Sequence, residues 1–82
     1  MPRVHIDVML KEEILDPQGQ AIEAALPQLG YEGITDVRIG KHIELTVPDE
    51  ADVAATVDAI ADRLLANPVI EHYTWRVAES ER

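Results

Sequence analysis

Apolar and polar residues alternate from the start of the chain. Val4, Ile6, Val8 and Leu10 take the even positions, and Arg3, His5, Asp7 and Met9 the odd ones. A period of two sends successive side chains to opposite faces, so this stretch predicts a half-buried first strand. The period then changes. Ala21, Ile22, Ala25, Leu26 and Leu29 fall at helical spacing and predict a first helix with one apolar stripe. Asp16 before Pro17 places a side-chain acceptor ahead of a residue with fixed φ and no N–H to leave unpaired, which marks a helix start. Pro27 removes the bond to the Glu23 carbonyl, so the last turn bends or frays, with Gly30 as the stop.

Alternation returns at Val37 and Ile39 and again at Ile43, Leu45 and Val47, all odd-numbered. A two-residue Gly40-Lys41 loop would put Ile43 on the wrong face. A three-residue Gly40-Lys41-His42 loop pairs Ile39 with Ile43 and Val37 with Leu45, so the pattern predicts a hairpin with a bulge or longer loop at Gly40. Pro48-Asp49 closes this strand and is expected to cap a second helix, with Glu50 and Asp52 near the positive end of its dipole. Val53, Val57, Ile60 and Leu64 carry that helix's stripe. Asn67 suits a left-handed helix end, and Pro68 forbids continuation. The last strand shows Glu71, Tyr73, Trp75 and Val77 on one face and Ile70, His72, Thr74 and Arg76 on the other.

The order strand, helix, strand, strand, helix, strand predicts an α+β, ferredoxin-like βαββαβ sandwich. It has a four-stranded antiparallel sheet with two helices on one face. Its expected core is Val4, Ile6, Val8, Ile22, Leu26, Val37, Ile39, Leu45, Val57, Ile60 and Leu64.

Length and charge narrow the picture. The 82 residues make one domain, 1–82, with 78–82 expected to fray. A chain this short buries only about 60% of its unfolded surface, which favours burying a further face against a copy of itself or a partner. There is no cysteine, so a disulfide framework, a thiolate metal site and a thiol nucleophile are all excluded. Sixteen Asp and Glu against seven Lys and Arg give a net charge of −9. That field opposes nucleic acid. No apolar run reaches membrane-spanning length, and with no address signal at the N-terminus the cytoplasm is the expected location.

The candidate chemistry is sparse. His5, His42 and His72 lack metal-ligand spacing, although His5 and His72 are expected on the open face of adjacent strands. Lys11-Glu12-Glu13 reads as a solvated connection, since nothing nearby would desolvate one carboxyl and raise its pKa. Gly40-Lys41 lacks the earlier glycine and the following Ser or Thr of a phosphate loop. The sheet has neither the exposed aromatics nor the basic face of an RNA binder. No metal and no cofactor on this chain are therefore expected. What remains is an open face of mixed charge that another subunit could cover through charge-assisted contacts.

Three runs stand where elements begin or end: Leu15-Asp16-Pro17-Gln18-Gly19, Val37-Arg38-Ile39-Gly40-Lys41 and Asn67-Pro68-Val69-Ile70-Glu71. Their order and spacing make the chain, from about Val4 to Val77, resemble the small subunit of phosphoribosylformylglycinamidine synthase. The resemblance implies a non-catalytic subunit of a glutamine-dependent, ATP-consuming ligase of purine biosynthesis. It implies a chain that self-associates as a dimer or tetramer and bridges a large synthetase subunit to a glutaminase subunit, assisting ammonia transfer. Mg-ATP and the catalytic groups would then belong to the partners. A stand-alone regulatory module binding a small ligand at a subunit edge is the alternative.

Asp16, Gln18, Gly19, Arg38, Gly40, Lys41 and Asn67 are the expected partner-contact residues. Gln18 and Gly19 add nothing to a helix start, and Gly19 weakens it by roughly 1 kcal/mol relative to Ala. A glycine kept there points to close approach by another backbone. Arg38 and Lys41 are likewise not required by a hairpin tip.

Overall fold

A computed structural model of the chain describes residues 1–78. β1 (Arg3–Leu10) is the centre of a three-stranded sheet, flanked by β2 (Gly40–Thr46) and β3 (Glu71–Ala78), both antiparallel to it. The register follows the alternation. Ile6 stands between Ile43 and Trp75, and Val4 between Leu45 and Val77. Val4, Ile6 and Val8 are fully buried, as a central strand with one covered face requires.

α2 (Val53–Ile60) covers that face. Its Val57 joins the cluster of Val4, Ile6, Val8, Val47 and Ala66. Asp58 Oδ1 accepts from Trp75 Nε1 at 2.9 Å and from the Tyr73 hydroxyl at 3.2 Å, tying the helix to β3. The cap is Asp52, whose carboxylate accepts from the Ala55 N–H at 3.1 Å, rather than Asp49. A turn closed by the Ala51 N–H on the Pro48 carbonyl delays the helix, and Asp49 instead meets the N-terminal ammonium at 2.8 Å. The helix runs on into a π turn, Ala61–Leu65. A π turn holds more residues than an α turn and shifts the phase, so Ala61 is buried while Leu64 is 79% exposed. Leu64 does not belong to the core. Asn67 does not take the left-handed conformation, which among non-glycine described residues occurs at Asp36 alone. Its side-chain oxygen accepts from the Val69 N–H at 3.1 Å, an Asx turn.

The four-stranded sandwich is not formed. Residues 31–39 make no strand, because side chains capture the donors a hairpin would need. The Val37 N–H goes to Glu23 Oε1 at 3.2 Å and the Ile39 N–H to Asp16 Oδ2 at 2.6 Å. Val37 and Ile39 are half-buried in this strap. Gly40 opens β2 and pairs with Met9. A Cβ there would collide with the Met9 sulfur and the Val8 carbonyl, so its glycine serves a close approach and not a turn.

Nor do both helices share the covered face. α1 (Pro17–Ala25) has its predicted start and stop, with a 3-10 turn Pro27–Leu29 and Gly30 at φ 94°. Yet no residue of α1 enters the core cluster, and Ile22 is 43% exposed. The chain is thin and long, 51 × 30 × 14 Å, with a radius of gyration of 16.2 Å. A compact chain of this length would have about 12 Å. Of the tail expected to fray at 78–82, Ala78 closes β3 and the rest lies outside the described residues.

Candidate functional site

The three runs that stood apart in the sequence meet at one end of the sheet. A cleft of about 280 Å³ there is lined by Leu10, Asp16, Gln18, Ile39, Gly40, Lys41 and Glu71. Each run contributes: the start of α1, the start of β2 and the start of β3. The Lys11 N–H donates to the Ile70 carbonyl at 2.8 Å, which brings the end of β1 against the turn before β3.

Asp16 organises this end. Its carboxyl is buried and accepts from the Gly19 N–H at 2.9 Å and the Ile39 N–H at 2.6 Å. Those two N–H groups, the Gly19 donor foremost, favour the ionised form and hold its pKa below the ordinary aspartate value. Gly19 is buried, and a Cβ on it would strike the Val37 carbonyl oxygen. The close backbone approach expected at Gly19 is therefore made by the chain's own strap. Arg38 also serves the fold, since its guanidinium donates to the Lys11 and Ile14 carbonyls, both at 3.0 Å. It lines a second cleft, about 410 Å³, with Glu12 and Asp36.

Of the seven expected residues, Asp16, Gln18, Gly40 and Lys41 share one cleft. Gly19 lies behind it against Val37, and Arg38 braces the connection after β1. Asn67 adjoins it through Glu71, whose carboxylate accepts from the Asn67 N–H at 2.7 Å. Gln18 and Lys41 are exposed. Glu71 is a lining residue that the sequence pattern did not single out, although it closes the third run and could have been read there.

A second constellation occupies the open sheet face. His5 faces Glu44 across the β1–β2 ladder and Asp7 faces His42. His42 Nδ1 lies 2.7 Å from Asp7 Oδ1 and Nε2 3.0 Å from Glu44 Oε2. A ring with both nitrogens against carboxylates is served best as imidazolium, and these contacts, the Asp7 one foremost, raise its pKa. Glu44 is shifted down, mainly by Arg3, which donates to it at 3.2 Å, and then by His42. His5, His42 and Glu44 offer ligand-type atoms within 4.8 Å of one another. However, Arg76 sits 3.2 Å from His5 Nδ1 and can only donate. The His5 proton then belongs on Nε2, the atom facing Glu44, and the set suits an ion-pair network better than a metal. His72 pairs with Met9, so it is remote from His5 in the register.

Sheet, single covering helix, outlying α1 and sheet-end cleft define a small α+β chain whose distinctive residues gather in one place. The chain belongs to the family described as PurS, phosphoribosylformylglycinamidine (FGAM) synthase, whose family model matches residues 3–79. A Mycobacterium leprae relative, phosphoribosylformylglycinamidine synthase subunit PurS, is 54% identical over 74 residues, 90% of this chain and 92% of that one. A solved Bacillus subtilis PurS structure superposes with a TM-score of 0.87 at 45% identity, over 96% of this chain and 100% of that one. A chain from the structure of PurLQS from Thermotoga maritima gives a TM-score of 0.81 at 29% identity, over 94% and 96%. Among the described residues no helix is long and apolar enough to cross a membrane.

Proposed function

We propose that this chain works as the small, non-catalytic subunit of a phosphoribosylformylglycinamidine synthase complex in the cytoplasm. In this reading it self-associates, bridges the ATP-dependent synthetase subunit to the glutaminase subunit and assists ammonia transfer between them. Mg-ATP and the nucleophile that releases ammonia from glutamine stay on the partners, since this chain has no cysteine to form a thioester. Nucleic acid and membrane play no part.

The observation that carries the reading is the convergence of Gln18, Gly40 and Lys41 with Glu71 on one cleft. Asp16, Gly19 and Arg38 hold that end together. Among the described residues no hydrogen bond or ion pair engages the exposed side-chain amide of Gln18 or the ammonium of Lys41, and both suit contact with a partner subunit. Tagged chain is mixed with the two large subunits, with and without glutamine and Mg-ADP. Co-purification of both with wild type, weakened by Gln18→Ala and Lys41→Ala, supports the reading, and equal recovery with the variants refutes the assignment of the cleft. The alternative of a regulatory module predicts instead a large thermal shift of the isolated chain with glutamine, ADP or a purine.

A further inference from the structure

β3 is an edge strand whose outer side is unpaired. The sheet runs β2-β1-β3, and among the described residues no further strand joins it. The outer N–H and C=O groups of such an edge are a template for one more strand.

The two faces of β3 say what that strand must carry. On the open face His72, Thr74 and Arg76 stand opposite Met9, Asp7 and His5. All three are exposed, and at strand spacing they form a row of hydrogen-bond donors roughly 7 Å apart. Arg76 Nη2 lies 3.2 Å from His5 Nδ1, and among the described residues no carboxylate pairs with its guanidinium. The acids of this face are engaged elsewhere: Asp7 by His42 at 2.7 Å, and Glu44 by Arg3 at 3.2 Å and His42 at 3.0 Å. In a chain with sixteen Asp and Glu, an Arg left without one is placed to take a carboxylate from outside. On the covered face Tyr73 and Trp75 are half-buried and Val77 is exposed, so apolar area runs out to the edge.

The opposite edge differs. There the open-face residues His42 and Glu44 of β2 bond to each other, and no comparable row of donors is left.

We infer that the outer edge of β3 accepts an extended segment of a partner protein as an added strand. Its acidic side chains, at alternate positions, meet Arg76, Thr74 and His72, and its apolar side chains lie beside Trp75 and Val77. Resting on the proposed bridging role, this edge gives the bridge a second surface besides the sheet-end cleft. A second copy is a poor occupant. Two β3 edges set antiparallel about Thr74 bring Arg76 against His72 with no acid opposite either, and charge on an edge ordinarily wards off a like edge. An acidic strand meets the reverse situation. The guanidinium fork fixes its register, and backbone bonds supply the remaining affinity.

The probe is a synthetic peptide of alternating Glu and Val, with a Lys-Val peptide of equal length as control. Titrated into the isolated chain, the Glu-Val peptide should bind and slow hydrogen exchange at β3 amides, and the Lys-Val peptide should do neither. Arg76→Glu should weaken binding by about tenfold or more, and Arg76→Gln, which keeps a donor for His5, by less. Absence of Glu-Val binding, equal binding of the two peptides, or wild-type binding by Arg76→Glu would each overturn the inference. So would slowed exchange confined to elements other than β3. A change in sedimentation of the isolated chain on Arg76→Glu would give the edge to a second copy and overturn it too. With the two large subunits, Arg76→Glu should lose one and retain the other. Retention of both as in wild type would overturn the inference while leaving the bridging role standing. Peptide binding as expected, with neither large subunit recovered by wild type, would refute the bridging role and leave β3 as a strand acceptor.

Discussion

The Asp16 carboxylate accepts the Ile39 N–H at 2.6 Å across 23 residues of chain. With the same group it caps α1 through Gly19 at 2.9 Å. One buried side chain thus fixes the start of a helix and the approach to β2, and replaces the hairpin that the alternation of Val37, Ile39, Ile43 and Leu45 suggested.

Asp16→Asn keeps the shape but loses an ionised acceptor for one of the two N–H groups. It should lower Tm by several degrees. Because the folded pKa lies below the unfolded one, the contribution is complete above the ordinary aspartate value and fades as pH falls through the lower folded value. Melts from pH 6 down to pH 3 should therefore fall more steeply for wild type than for Asp16→Asn, and parallel curves would contradict the account.

Gly19→Ala adds a methyl where the Val37 carbonyl already sits. Overpacking of this kind costs about 1–3 kcal/mol, and each kcal/mol shifts Tm by about 4–8 °C in a domain of this size. A stability equal to wild type, or the gain usual for Gly→Ala in a helix, would refute the close approach.

On the open face the sign runs the other way. His42 is held protonated by Asp7 and Glu44, so its folded pKa is raised. Its contribution is complete below the ordinary histidine value and is lost as pH rises through the folded one. Stability should decline from about pH 6.5 upward, and His42→Gln should flatten that slope. Two-dimensional NMR of the ring should show both nitrogens protonated at pH 6.

Asp58→Ala removes the shared acceptor of Trp75 and Tyr73. We expect a loss of about 1 kcal/mol and a red-shifted Trp75 emission as α2 loosens from β3. Unchanged emission would place the α2–β3 contact elsewhere.

β1 was legible because a central strand with one covered face writes its burial directly into alternation. The α1 start was legible because Asp16-Pro17 is local chemistry. The strap was not. Val37 and Ile39 alternate like a strand, and their donors are taken by Asp16 and Glu23, more than ten residues away. Leu64 falls outside the core because spacing assumes an unbroken α period, and the π turn at Ala61–Leu65 breaks it. The site was legible as three runs, but the division of labour within it was not. Gly19 and Arg38 look spare until Val37, Lys11 and Ile14 arrive as their partners.

That division makes Arg38 and Lys41 distinguishable. Arg38→Ala strips two carbonyls of their donor and should lower Tm, whereas Lys41→Ala should leave it within about a degree, as a surface change does. Equal effects would contradict the assignment of Arg38 to the fold and Lys41 to contact.

In its proposed role this chain couples a glutaminase to a synthetase and performs no chemistry of its own. The most direct test of that role is formation of formylglycinamidine ribonucleotide by the two large subunits, supplied with Mg-ATP and either glutamine or ammonia, with and without this chain. The chain alone should turn over nothing, and glutamine-dependent activity should require it. Lys41→Ala and Gln18→Ala should lower that activity severalfold, while ammonia-dependent activity survives without the chain. Full glutamine-dependent activity from the two large subunits alone would contradict it.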